Sequence, residues 1–489
     1  MTHPAIPAPS RRPQADALAV LAVAAAMLLP ALWNGFPFVF SDTGEYLARA
    51  EVLDVPAYRT VGYSAWIALM GHRTTLWVTI AAQALLVAAL IGITARTLVP
   101  RMPRVALVAG GLALAILTSV STRVSQLMPD IFAPVLVLAL YLVVWHWPRL
   151  GRASRAVAGL GVAASLVMHA THVGLALGLL LVYAGGAAMA GAAGRARWRG
   201  IARGALCVAL GTGALLSFNF WHTRRVFLAQ NGHVFVLSHL VQTGLAERLL
   251  REECPRGAHY DLCPYIGDLQ VQGQPLTPDQ FAWHPASPLY RIGGWAGSKD
   301  EASRILWGTL RRYPLSHALD AVFYTLDQLG AVSTLEGLES YADIPWVDVY
   351  IQHLRPGDYS RMHAARQQRG TLGFEGLARV HEALALAAAA ASLWLLFWPR
   401  LPRASREPGS IAGFHRTVWL VLLGNAAMCG NLSGVYARYQ ARLVWLLPFA
   451  VLLSVAARWW PASVGADSAA GAGGVRAEQG WRDALVGAA

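Results

Sequence analysis

Lysine is almost missing from this 489-residue chain: Lys299 is the only one, so nearly all of the positive charge behind the +13 formal balance is arginine. Charged residues of both signs make up only 14%, against roughly a quarter in ordinary soluble domains. A lysine-rich nucleic-acid tail is excluded, and so is a disordered chain. Four cysteines are too few for a disulfide framework. No glycine-rich phosphate loop, HExxH zinc motif or internal repeat occurs. What abounds is apolar sequence: 55% of residues are hydrophobic, gathered in blocks. The composition predicts an all-α polytopic membrane protein.

A bilayer core takes about 20 apolar residues per helix. That rule places ten spans near 18–33, 76–98, 105–122, 131–147, 156–168, 173–193, 204–221, 383–398, 411–430 and 443–457. Short cytoplasmic loops retain arginine. Arg11 and Arg12, Arg101 and Arg104, Arg149 to Arg155, Arg195 to Arg203, and Arg400 to Arg406 all fall on one side under this count. Both termini are therefore expected in the cytoplasm. The first apolar stretch lacks a convincing cleavage site and reads as a retained signal-anchor. The expected organisation is a cytoplasmic tail 1–16, a seven-helix membrane domain 17–221 with a first exterior loop 34–75, an exterior (periplasmic) soluble domain of mixed structure 222–380, three last helices 381–458, and a disordered cytoplasmic tail 459–489. Cys254 and Cys263 both lie in the exterior domain, where an oxidising milieu favours a local disulfide over two free thiols. Cys207 and Cys429 fall within spans and read as packing residues.

Chemistry-bearing residues collect on the exterior side. Asp42 and Glu45 open the first loop, three residues apart and so on one helix face. Two accounts fit them: a capping box, or a pair that binds a cation or takes a proton from a hydroxyl. Arg59 and Tyr63 follow as a phosphate ligand and an interfacial aromatic, or as headgroup-level residues alone. Asp130, at the start of the fourth span, suits the helix dipole but shares its side with Asp42. Arg438 and Arg442, with Tyr439 beside the first, stand i,i+4 on the last exterior turn, against the orientation rule, and can point two guanidinium forks at one phosphate. His169 and His172 are weak metal candidates, since a catalytic zinc takes a third ligand. An acidic stretch with Asp327, Glu336, Glu339, Asp343 and Asp348 reads mainly as a solvated face, and aromatic–polar segments at Trp283-His284 and Tyr290-Arg291 as a candidate sugar surface.

This arrangement resembles the GT-C superfamily, the integral-membrane glycosyltransferases that use a polyprenyl-phosphate sugar donor, including family-39-like and aminoarabinose transferases. Asp42, Glu45 and Tyr46 match the acidic motif of the first exterior loop. Arg59, Gly62 and Tyr63 loosely match the next element, although Thr60 and Val61 replace its prolines. Asp130 resembles the later acid, and Arg438-Tyr439 the late Arg-Tyr motif. The 222–380 domain matches nothing in that pattern.

The resemblance implies transfer of a hexosyl or pentosyl group to a lipid or glycan acceptor of the envelope, in a bacterial inner (plasma) membrane. Asp42 would act as base, with Glu45 or Asp130 assisting directly or through a divalent cation, the one cofactor it admits. Arg438 and Arg442 would hold the leaving phosphate, with Arg59 in a lesser part. Membrane lipids are the other expected partners, and no nucleic acid is. Two readings compete: an O-antigen-type polymerase or ligase, which does not need the first-loop acids, and a non-catalytic transporter or scaffold, which predicts ionisable residues in mid-membrane.

Overall fold

The computed structural model describes residues 13–56, 58–71, 75–397 and 407–461. Arg11, Arg12, Arg73, Arg400, Arg403, Arg406 and most of the two expected tails lie outside the described residues. Within them the chain is helical apart from one two-stranded hairpin, Gln270–Val271 with Gln274–Pro275. Seven helical stretches are long and apolar enough to cross a membrane: Asp16–Asn34, Leu76–Leu98, Pro129–Arg149, Ala170–Met189, Arg195–Thr223, Glu375–Phe397 and Ala437–Trp459. The chain thus has the make-up of an all-α membrane protein.

The other three expected spans are also helices, but shorter or more polar. The segment 105–122 breaks, because Arg104–Leu117 stops at Thr118, whose hydroxyl donates to Leu114 O (2.6 Å). A short helix, Val120–Val124, follows. Arg152–Met168 has 17 residues. Ile411–Leu432 has 22 but carries His415, Arg416 and Asn425.

Leu177, Leu181, Leu206, Leu210, Leu386 and Trp394 are exposed on the outside of the bundle, where an apolar surface needs lipid rather than water. Inside, one continuous core runs through the spans and takes in Val347, Ile351 and Met362 from the long insertion.

That insertion divides by its packing. Residues 234–313 build a second core of their own around Leu237, Leu249, Phe281 and Ile305, and Cys254 and Cys263 are disulfide-bonded beside it. Its turn signals separate short helices, not strands. Thr277 forms a capping box ahead of Pro278–Trp283, and Ser287 caps Pro288–Arg291, each with proline in the first helical position, where its missing N–H costs nothing. The structure there is helical except for the hairpin, rather than mixed. Helix Pro314–Gly330 then leaves this core and lies along Ile411–Leu432. Helix Pro345–Leu354 packs on Thr43–Val52, so the end of the insertion covers the start of the chain.

Candidate functional site

The first loop enters the site as an extended strip. Phe38 pairs with Gln126 in a parallel bridge: Phe38 N donates to Ser125 O (2.9 Å) and Leu127 N to Phe38 O (2.8 Å). The Thr43 hydroxyl accepts from Phe40 N (2.8 Å) and donates to Leu127 O (3.2 Å). These bonds tie the stretch before Asp42 to the loop that leads into Asp130.

Asp42 precedes helix Thr43–Val52, yet its backbone is helical and its carboxylate makes no capping bond. Asp42 and Glu45 instead both accept from Arg59, one on each terminal nitrogen. The Arg59 guanidinium also lies 4.6 Å from the Tyr58 ring centre and 5.5 Å from that of Tyr46. Burial pulls its pKa down; Asp42 opposes that pull, and the nearby charge of Arg438 adds to it. Gly62, three residues on, is required by packing: a Cβ there would stand 2.1 Å from Val167 O.

Asp130 and Arg442 form the buried half, at 3% and 1% exposure. Arg442 Nη1 donates to Asp130 Oδ1 (2.9 Å), and Nη2 to Asn425 Oδ1 (2.9 Å) and Cys429 Sγ (3.6 Å). Both of its terminal nitrogens are bonded. Arg438, one turn earlier, is held differently. Its Nη1 lies 3.8 Å from Asp130 Oδ2 and its Nε 3.9 Å from Glu336 Oε1, in ion-pair range but beyond hydrogen bonding. The guanidinium sits over Phe40 (4.4 Å) and Tyr439 (4.7 Å), with one long bond from Nη2 to the Tyr439 hydroxyl (3.3 Å). Arg438 Nε and Asp130 Oδ2 are buried and have no hydrogen-bond partner. Buried polar atoms normally find one, so this gap is suited to a polar guest.

Three further residues join the site, of which only Arg123 stands out in the sequence, as one of the few arginines in the short exterior segments. Glu336, read from sequence as part of a solvated acidic face, accepts from Arg438 N through Oε2 (3.3 Å). Burial raises its pKa, against the opposing charge of Arg438 and the backbone N–H groups of Arg438 and Ala437. Its loop is clamped by Arg123, 1% exposed, whose Nη2 donates to Thr334 O (3.1 Å) and Glu336 O (3.0 Å). Gln126 adds a bond to Gly337 O (2.7 Å).

The other candidates bond to different partners. Tyr63 is fully buried below the site, its hydroxyl donating to Gln83 Oε1 (2.8 Å). His169 caps Ala170–Met189 by accepting from Thr171 N (3.3 Å), and His172 Nδ1 donates to Ser165 O (2.7 Å). Among the described residues no group of three His, Cys, Asp or Glu is placed to hold a metal ion. Between Asp42 and Glu45, the place a divalent cation would take is filled by Arg59. The donor set does not fit a resident metal.

Asp42 and Glu45 paired with Arg59 therefore lie within electrostatic reach of Arg438, which with Arg442, Asp130, Glu336 and Arg123 completes one charge cluster drawn from four distant parts of the chain. Such a cluster can bind an anion at Arg438 beside carboxylates able to take a proton. No family model, curated protein or solved structure matches the chain.

Proposed function

We propose that the protein is a membrane glycosyltransferase that moves a sugar from a polyprenyl-phosphate donor to an envelope acceptor on the exterior face of the membrane. One observation carries this reading: Arg438, a half-buried guanidinium whose buried Nε has no hydrogen-bond partner, lies next to the free oxygen of Asp130 and within electrostatic reach of Asp42. Arg438 takes the donor phosphate. Asp42 accepts the proton of the acceptor hydroxyl as that oxygen bonds to the anomeric carbon. The bond from that carbon to the phosphate oxygen breaks, and its electron pair stays on the phosphate, stabilised by Arg438. Arg442 fixes Asp130 and thereby the last turn. Arg59 orients Asp42 and Glu45, and no step runs through a metal.

The test is sugar transfer from a polyprenyl-phosphate donor by protein in a bilayer. Asp42→Asn is expected to lose about 10²–10⁴-fold, the usual worth of a positioned base. Arg438→Ala should lose about 10²–10³-fold in kcat, with Arg438→Lys in between because it keeps the charge without the fork. Equal transfer by wild type and Asp42→Asn would remove Asp42 from the mechanism and favour a polymerase or ligase that has no use for the first-loop acids.

A further inference from the structure

Helix Pro314–Gly330 belongs by sequence to the segment expected to be soluble, yet it has three unlike sides. One side packs on the bundle. Tyr324 O lies over Gly430, where a Cβ would approach it to 2.4 Å, and Asn431 Nδ2 donates to Thr325 Oγ1 (3.0 Å) and Ala321 O (3.3 Å). Gln328 exchanges two bonds with the backbone of Tyr436 (2.9 and 3.0 Å). The second side carries Asp320 and Asp327. The third is a stripe of Leu315, Leu319, Val322, Phe323 and Leu326, all between 59 and 71% exposed. Their spacing of four, three, one and three residues keeps them on one face over about 17 Å of helix.

What covers this stripe follows from its neighbour. Helix Ile411–Leu432 packs among Ala170–Met189, Glu375–Phe397 and Ala437–Trp459, three of the helices apolar enough to cross a membrane. Leu423 and Leu432 on that same helix are exposed as well. The apolar face of Pro314–Gly330 is thus exposed on a helix packed along this apolar bundle, with Asp320 and Asp327 at its edge. This is the pattern of a helix lying at the membrane interface. We propose that Pro314–Gly330 is a membrane-contacting helix, with phospholipid acyl chains covering Leu315, Leu319, Val322, Phe323 and Leu326. The proposal does not depend on the transferase reading.

The full chain can be reconstituted in phosphatidylcholine vesicles that contain a phosphatidylcholine with a diazirine in the upper part of one acyl chain. After irradiation, adducts are mapped by peptide mass spectrometry. Adducts are expected on the peptide spanning 315–326, at a level comparable to Glu375–Phe397. Leu319→Glu with Phe323→Glu should reduce them several-fold while labelling of 375–397 stays unchanged. Labelling of 375–397 without labelling of 315–326 would overturn the proposal. Should the double variant fail to reconstitute, the wild-type map alone decides.

Discussion

On the proposed transferase reading, Glu336 stands where the donor phosphate would meet Arg438. It faces Arg438 at ion-pair distance, bonds to its backbone N–H, and is kept there by the clamp of Arg123 on its own carbonyl. Because burial raises its pKa, the carboxylate takes up a proton at higher pH than a free glutamate does. Its ionised form opposes folding above that raised pKa, and the penalty is relieved below it. The same proton frees Arg438. A sugar phosphodiester stays a monoanion throughout, so donor KM is expected to fall as pH is lowered through the raised Glu336 pKa. Glu336→Gln should show low KM at both ends and a flat profile. Parallel profiles for the two proteins would show that Glu336 does not compete with the donor.

Glu336 could not be found from sequence, because nothing local distinguishes it from Glu339 or Asp343. Asp42, Asp130, Arg438 and Arg442 were legible as a group because span counting put them on one side. Their pairing was not. The i,i+3 spacing of Asp42 and Glu45 suits capping and chemistry equally, and only the approach of Arg59 separates the two accounts.

Helices meet most closely where a side chain is missing. Helix Gly62–Met70 presses on the end of Arg152–Met168 at Gly62, with Val167 O in the space a methyl group would need. Gly62→Ala is expected to cost about 1–3 kcal/mol by overpacking, since backbone cannot move aside as a side chain can. The shift would pass to Arg59, three residues earlier, and lower both the thermal midpoint in detergent and the transfer rate. An unchanged midpoint would mean that the contact relaxes freely. The short helices of the insertion were not legible in the sequence for a related reason. Proline and serine mark a turn in either setting, and whether a helix of four to six residues follows depends on packing against the second core.

Two cores make the molecule mechanically composite. The module 234–313 has its own buried cluster and its own covalent link between Cys254 and Cys263, while the bundle and the cleft share the other core. Closing a loop of this length contributes about 2–3 kcal/mol in the chain-entropy account. Reduction should therefore speed amide hydrogen exchange in 234–313 and leave exchange in 411–457 unchanged. Matching acceleration in both would show that the two cores open together.

The cluster of four acids and four arginines also has an effect beyond contact distance. Opposite charges paired so closely cancel within a few ångströms, so the site projects little field into the surrounding medium. On the proposed transferase reading, a phosphate-bearing lipid would not be drawn in from afar and would arrive by diffusing in the plane of the bilayer. Selection would then fall at the moment of exchange, when the guest's charge replaces that of Glu336 on Arg438.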